Sequence, residues 1–218
     1  KCDVLESAVQ VLKVLPVRNV ASWNALIVGY IQHGKGFDAL NCLEWMENEG
    51  FSPDIVTFIC VLKACGSTGA IHNGKQIHKS IVIQGLLEKD IALGNALMDM
   101  YCKCGELAKA REVLEGLHLR NVVSWSGIIT GYIHQGQGYE ALNCFEQMQS
   151  EGLFPDAVTY ICILKACGIT RSICKGKELH KKIVSKGLLD KDPILGSALV
   201  DMYVQCGDLS KAQQVLKL

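Results

Sequence analysis

Two columns of polar residues recur along the chain, and their side chains suit hydrogen bonding. The first column occurs at successive intervals of 35, 36, 31, 35 and 36 residues and holds Asn24, Ile59, Asn95, Ser126, Ile161 and Ser197. The second column holds Asn19, Asp54, Asp90, Asn121, Asp156 and Asp192. Amides and hydroxyls donate and accept hydrogen bonds, and carboxylates accept them. Asp and Asn are also favoured N-caps, so capping alone could explain the second column, but it does not explain the first.

Both columns belong to a repeat of the sequence. The segment Val20–Asp54 returns 102 residues later as Val122–Asp156, and Trp23 is matched by Trp125. The segments that follow also repeat, as FICVLKACG against YICILKACG and as ALMDMY against ALVDMY. Such periodicity is typical of stacked structural units. We expect one array of repeats at 20–54, 55–90, 91–121, 122–156 and 157–192, with partial repeats at 1–19 and 193–218.

Each repeat predicts two helices. In the repeat 20–54, one face of the first helix carries Trp23, Leu26, Ile27, Tyr30 and Ile31. Gly34 and Gly36 are expected to end this helix. The second helix is expected to present Phe37, Leu40, Leu43 and Met46.

A small residue recurs in the second helices and predicts close packing between paired helices. These residues are Ala8, Ala39, Gly74, Ala110, Ala141, Gly176 and Ala212. Helical hairpins that contact only their neighbours stack into a continuous core. The predicted fold is therefore all-α, a right-handed α-solenoid of stacked helix-turn-helix repeats. The first helices are expected on its concave side, with the polar residues of the first column on an exposed stripe.

Composition narrows the function classes. The formal net charge is zero and 49% of the residues are hydrophobic, which argues against a strongly basic arm and against disorder. No apolar stretch is long enough to predict a membrane span, and the N-terminus carries no recognisable targeting signal. Because both ends fall inside repeats, we expect the chain to be part of a longer protein.

The 11 cysteines are interpreted as structural thiols in a reducing compartment. Cys102 and Cys104 are the closest pair, and no zinc-ligand set completes them. His78 and His180 recur in equivalent positions and are expected to pack between repeats. With no duplicated catalytic set, we predict a protein that is not an enzyme and that needs no metal or cofactor.

The 35-36-31 rhythm, with SWNALIVGY, VTFICVLKACG and NALMDMYCKCG in successive repeats, resembles the pentatricopeptide repeat family. It is similar to the plant type with P, L and S repeats in triplets, and the resemblance covers the whole chain. The resemblance implies binding of single-stranded RNA, one base per repeat. It further implies a factor for organellar C-to-U RNA editing or RNA processing, in a mitochondrion or chloroplast, and a possible partnership of the L repeats with small editing cofactor proteins.

The resemblance also implies roles for individual residues. Base recognition falls to Asn24 with Asp54 for U, Asn95 with Asn121 for C or U, Ser126 with Asp156 for G, and to Ser197 and Asn19, whose partners lie outside the chain. The L repeats, with Ile59 and Asp90 and with Ile161 and Asp192, should discriminate weakly because isoleucine cannot form hydrogen bonds. The residues that flank each base face are Ala21, Val56, Ala92, Val123, Val158 and Ile194. The implied RNA is 5′-U-N-C/U-G-N-purine-3′.

Phosphate contacts are expected from Lys63, Lys103 and Lys165, while Asp99 and Asp201 oppose them. The alternative function is a protein-binding helical scaffold similar to tetratricopeptide arrays. Such arrays usually hold one period near 34 residues, so the mixed rhythm of this chain favours RNA recognition.

Overall fold

The computed structural model describes residues 18–189 and 191–216. Within these ranges the chain forms twelve helices and no strand. They are α1 (Val20–Gln32), α2 (Gly36–Asn48), α3 (Ile55–Thr68), α4 (Ile71–Ile83), α5 (Ile91–Lys103), α6 (Leu107–Gly116), α7 (Val122–His134), α8 (Gly138–Ser150), α9 (Ala157–Ile169), α10 (Ile173–Ser185), α11 (Pro193–Gln205) and α12 (Leu209–Val215). Each predicted repeat that falls in the described ranges corresponds to a pair of these helices, which confirms the all-α prediction.

The second polar column starts the first helix of each pair. Asn19, Asp54, Asp90, Asn121, Asp156 and Asp192 are the N-caps of α1, α3, α5, α7, α9 and α11. Each has an extended backbone and accepts hydrogen bonds from backbone N–H groups of the first turn, which would otherwise lack partners. Capping is therefore a real role of this column.

The glycines between α1 and α2 differ in role. Gly34 has a φ of 71° and makes the turn after α1. Gly36, expected to break the helix, is instead the first residue of α2. A Cβ there would lie 2.4 Å from Cγ2 of Thr68, so glycine allows α2 to approach the end of α3. The expectation for Gly36 was wrong because sequence does not show which glycine meets a neighbouring helix.

The helices group into two compact units, Lys1–Leu119 and Arg120–Leu218. In the first unit, α1, α3 and α5 pack side by side in sequence order. The helices α2 and α4 each pack against the first helix of their own pair and against the first helix of the next pair. The second unit repeats this arrangement, with α7, α9 and α11 side by side and α8 and α10 each joining two pairs.

The apolar face of α1 is buried as predicted, with Trp23, Leu26, Ile27 and Tyr30 in the core. The face of α2 is shifted from the prediction. Its Phe37 is 64% exposed, and the buried residues include Ala39, Leu40, Cys42 and Met46. Ala39 belongs to the predicted column of small residues, whereas the burial of Cys42 was not predicted.

The column of small residues is confirmed as a packing feature within the described ranges, where all of its members are buried. A Cβ on Gly74 would lie 2.5 Å from Sδ of Met100, and one on Gly176 would lie 2.4 Å from Sδ of Met202. These glycines therefore let the second helix of one pair contact the first helix of the next. Ala8 lies outside the described residues.

Most of the described cysteines are buried. Burial raises the pKa of Cys65 and of Cys167 to about 12, so both remain protonated at neutral pH. The described part of the chain contains no cluster of three potential metal ligands. None of its helices combines the length and apolar character needed to cross a membrane.

Candidate nucleic-acid interface

In the repeat 20–54, the two polar columns meet through hydrogen bonds. The Asn24 side chain donates from Nδ2 to Oδ1 of Asp54 over 3.1 Å. Thr57, the third residue of α3, lies between them, with Oγ1 at 2.7 Å from Oδ1 of Asn24 and at 2.8 Å from Oδ1 of Asp54. The backbone N–H of Thr57 also donates to Asp54 over 2.8 Å. A side chain in α1 is thus tied to the cap of α3.

The carboxylate of Asp54 is held in its charged form. Partial burial favours the neutral acid, but hydrogen bonds from Thr57, Asn24 and the backbone of Val56 outweigh it and lower the pKa of Asp54. The repeat therefore presents a fixed negative charge beside the Asn24 amide at neutral pH.

In the repeat 122–156, the two columns are joined through a threonine. Ser126 Oγ lies 2.7 Å from Oγ1 of Thr159. Thr159 Oγ1 donates to Oδ1 of Asp156 over 2.6 Å, and its backbone N–H donates to the same oxygen over 2.8 Å. The three residues form a chain in which the threonine hydroxyl stands between the serine and the carboxylate.

The burial of the first column differs from expectation. Asn24 and Ser126, expected on an exposed stripe, are each only 8% exposed. Their polar groups take part in the networks above, which compensates for the loss of water. Only a small edge of each side chain is accessible, and the neighbouring Asp54 and Asp156 are exposed.

The repeats with Ile59 and Ile161, which are predicted to discriminate weakly between bases, lack these networks. The carboxylate of Asp90 accepts from the backbone N–H of Ala92 over 2.6 Å, and that of Asp192 accepts from the backbone N–H of Ile194 over 2.9 Å. Ile59 and Ile161 are half-buried. In these repeats the closing aspartate acts as an N-cap.

The remaining predicted readers show varied settings. Asn95 is half-buried, and its Oδ1 is buried without a hydrogen-bond partner among the described residues. Asn121 accepts from the backbone N–H of Ser124 over 3.0 Å. Because Asn95 and Asn121 belong to different units, their pairing remains a prediction. Asn19 and Ser197 are exposed.

The predicted base-flanking column is exposed and mostly apolar. Ala21 and Ala92 are exposed, and the larger members, Val56, Val123, Val158 and Ile194, are between 53% and 62% exposed. Each is the second residue of a first helix and lies close to the N-cap. Exposed apolar side chains beside polar readers suit contact with the flat face of an unpaired base.

The three predicted phosphate-binding lysines are exposed. Lys103 donates to Oδ2 of Asp99 over 2.7 Å, one turn earlier in α5. A phosphate would have to compete with that carboxylate, so Lys63 and Lys165 are the better candidates.

The histidines join helices of neighbouring pairs. Nδ1 of His78 lies 2.9 Å from the Tyr101 hydroxyl, and Nδ1 of His180 lies 2.8 Å from the Tyr203 hydroxyl. The rings meet edge to face in both cases. Both contacts support the predicted packing role.

Sequence reasoning missed Thr57 and Thr159. Each stands three residues after a closing aspartate, in the pattern Asp-x-x-Thr. That spacing resembles a capping box, and the box is formed at Asp54, whose backbone N–H donates to Thr57 Oγ1 over 3.2 Å. The spacing could have identified both threonines as cap residues, but not their contacts with Asn24 and Ser126.

Comparison with known proteins identifies the family. A family model described as the PPR repeat family matches residues 18–67 and 120–168, and a second, described as PPR repeat, matches residues 95–122 and 197–218. The chain belongs to the PPR repeat family.

Curated PPR relatives from Arabidopsis thaliana align with almost the whole chain. A chloroplastic pentatricopeptide repeat-containing protein is 36% identical over 217 residues, covering 100% of this chain and 35% of its own length. A mitochondrial one is 36% identical over 215 residues, covering 99% of this chain and 21% of its own length. The chain thus spans about a third or less of these PPR proteins.

Solved structures confirm the fold class. The pentatricopeptide repeat protein PPR10 from maize has a TM-score of 0.74 at 23% identity, covering 97% of this chain and 30% of its own. PPR10 in complex with an 18-nt psaJ RNA element has a TM-score of 0.53 at 17% identity, covering 99% of this chain and 37% of its own. The predicted α-solenoid class of stacked helix-turn-helix repeats is therefore confirmed.

Proposed function

We propose that this PPR chain binds single-stranded RNA with sequence specificity, one base per repeat. The observation that carries the proposal is the hydrogen-bonded joining of the two polar columns in the repeats 20–54 and 122–156. A helix cap alone needs no partner in the preceding repeat, yet Asn24 and Ser126 are tied to the caps of α3 and α9. Such ties hold polar groups in fixed positions where a base edge could meet them.

The base assignments follow the family resemblance, and the hydrogen bonds of Asn24 and Ser126 support two of them. Asn24 with Asp54 selects U, Ser126 with Asp156 selects G, and Asn95 with Asn121 selects C or U. The partial repeat that contains Ser197 selects a purine. The isoleucine repeats discriminate weakly, since Ile59 and Ile161 cannot form side-chain hydrogen bonds. The proposed RNA is 5′-U-N-C/U-G-N-purine-3′.

Contacts with base faces and phosphates complete the proposed complex. The exposed valines and Ile194 of the second helical position flank the bases. Lys63 and Lys165 are exposed and contact phosphates, with Lys103 available once it leaves Asp99. Each phosphate contact adds to the dependence of affinity on salt concentration.

We further propose that this chain, with its P, L and S rhythm, is the recognition part of an organellar factor for C-to-U editing or RNA processing. The names of its relatives, chloroplastic in one case and mitochondrial in another, support an organelle. Small editing cofactor proteins are proposed partners of the L repeats. Since Ile59 and Ile161 are half-buried, Val56 and Val158 would supply more of the apolar contact.

The test is a base-substitution series with Asn24→Ala. The wild-type chain should prefer U at the first position of the proposed RNA, and the variant should lose this preference while remaining folded. The effect should be about fivefold or more, because one good base pairing contributes roughly 1–3 kcal/mol. Asn41→Ala, the same change at an exposed position of α2, is the matched control. An unaltered U preference in Asn24→Ala would contradict the assignment.

A further inference from the structure

We propose that Thr57 and Thr159 are positioning residues that set whether the preceding repeat offers a hydrogen-bond donor or acceptor to its base. The inference rests on the proposed RNA recognition and assigns a role to the third residue of the following repeat. A threonine hydroxyl has one hydrogen, so donating it to one neighbour leaves only lone pairs for the other. The two repeats use that hydrogen differently.

In the repeat 20–54, the charge on Asp54 orients the amide of Asn24. The carboxylate attracts the Nδ2 group, which lies 3.1 Å from it, so Oδ1 of Asn24 points towards Thr57. Thr57 Oγ1 lies 2.7 Å from that oxygen and 2.8 Å from Oδ1 of Asp54, so its single hydrogen is shared between the two acceptors. With Oδ1 engaged, the second N–H of Nδ2 is the remaining polar group of Asn24, and the described residues give it no acceptor. Asn24 therefore presents a donor.

In the repeat 122–156, the hydroxyl hydrogens run the other way. Thr159 Oγ1 lies 2.6 Å from Oδ1 of Asp156, a distance typical of a hydroxyl that donates to a carboxylate. Its hydrogen is thereby used, so the contact with Ser126 over 2.7 Å requires the serine to donate. Ser126 Oγ is left with lone pairs and presents an acceptor.

These polarities match the proposed bases. Guanine carries two adjacent donors on its Watson–Crick edge, N1–H and the N2 amino group, which suit the acceptors Ser126 Oγ and Asp156. Adenine has an acceptor at N1, which would face a lone pair. Uracil carries carbonyl acceptors beside N3–H, which suit the Asn24 donor and the Asp54 acceptor. A threonine at the same repeat position thus supports opposite base preferences, according to whether it contacts Asn24 or Ser126.

The isoleucine repeats supply an internal contrast. The third residues of α5 and α11 are Leu93 and Leu195, which are fully buried and cannot form side-chain hydrogen bonds. No such relay forms behind Ile59 or Ile161. In the repeats 20–54 and 122–156, the polar first-column residue, the closing aspartate and the threonine all lie in one unit. In both of these repeats, a threonine occurs together with a polar first-column residue.

The experiment measures relative affinities of the 218-residue chain for two unstructured RNAs that differ only in G or A at the fourth position. Thr159→Val keeps the side-chain shape and removes the hydroxyl. Ser126 can then turn its hydrogen to adenine N1, so the G-over-A ratio should fall by about fivefold or more. Thr159→Ser retains a hydroxyl and should keep the ratio within about twofold of wild type. Ser22→Ala is the capping control, since Ser22 belongs to the capping box of Asn19 and no first-column residue of this chain precedes it.

The outcomes separate the two proposals. A G-over-A ratio that is unchanged in Thr159→Val, with clear base preference in the wild type, overturns the role of the threonine and leaves RNA recognition intact. A wild-type chain without base preference overturns the proposed function itself. If Thr159→Val does not fold, Thr57→Val provides the same test at the first position, where the U-over-C ratio should fall by about threefold or more and an unchanged ratio counts against the inference.

Discussion

The repeats 20–54 and 122–156 share a scaffold and differ in the residue of the first polar column. Both follow an Asn cap, bury a tryptophan and a tyrosine, and end at an aspartate that begins the pattern Asp-x-x-Thr. The first column changes from Asn24 to Ser126, and the direct bond to the aspartate becomes a bond through Thr159. The comparison shows that the cap and the threonine are constant, while one residue alters the groups available for binding.

The two units also differ in the hydrogen bonding of their buried tryptophans. Trp125 Nε1 donates to Oε2 of Glu151 over 2.8 Å, and Arg120 pairs with the same carboxylate over 2.7 Å. In the first unit, Glu49 pairs with Arg18, while Nε1 of Trp23 is buried without a hydrogen-bond partner among the described residues. The equivalent glutamates thus form an ion pair with an arginine in both units. Only in the second unit does the glutamate also accept a hydrogen bond from the tryptophan indole.

The largest expected effect comes from exchanging the residue types of Asn24 and Ser126, which are proposed to recognise the bases. Asn24→Ser should move the preference at the first RNA position from U towards G, and Ser126→Asn should move the preference at the fourth position from G towards U. Because each pairing contributes roughly 1–3 kcal/mol, the G-to-U affinity ratio should change about tenfold or more. Competition binding with single-base RNA variants measures this. Unchanged base preferences in two folded variants would contradict the proposal that Asn24 and Ser126 set the base preference of their repeats.

Removing the two glutamates tests the tryptophan difference. Glu151→Ala removes an ion pair and an indole hydrogen bond, so the free energy of unfolding should fall by about 1–2 kcal/mol. Glu49→Ala removes an ion pair near the surface and should lower it by less than about 1 kcal/mol. Urea denaturation of both variants measures the difference. Equal losses would show that the bond of Trp125 contributes nothing measurable.

A smaller effect is expected at a turn. Arg171 has a φ of 52°, and the equivalent residue of the first unit, Gly69, has a φ of 69°. A residue with a Cβ is strained in this left-handed region, so Arg171→Gly should raise the free energy of unfolding by roughly 0.5–1 kcal/mol. Gly69→Arg should lower it by a similar amount. A decrease in stability of Arg171→Gly would contradict the strain argument.

The smallest expected effect concerns a feature that the units share. Burial lowers the pKa of His78 and of His180 below the ordinary value of 6.5. The unfolded chain therefore binds protons first as the pH falls below 6.5, so both histidines destabilise the fold between that pH and their folded pKa values. Urea midpoints measured at about pH 7 and about pH 5 should show this loss. The double variant His78→Gln, His180→Gln should reduce it, and an undiminished loss would assign the pH dependence to other groups.

Local interactions made much of the fold predictable. The helix caps, the helical faces of Trp23 and Tyr30, and the column of small residues all follow from spacing within one repeat. The prediction failed for Phe37 and Gly36, because exposure of the former and the close approach of the latter to Thr68 depend on where the next helix lies. The burial of Asn24 and Ser126 was missed for the same reason.

The repeat rhythm, the all-α class and the two polar columns could be predicted because they arise from residue types at regular spacing along one helix or just before it. Which polar groups form hydrogen bonds with each other depends on how neighbouring repeats pack. Asn24 and Thr57 are 33 residues apart, as are Ser126 and Thr159, and stacking of first helices brings each pair within 2.7 Å. A hydrogen bond depends on distances of a few tenths of an ångström, which periodicity does not specify.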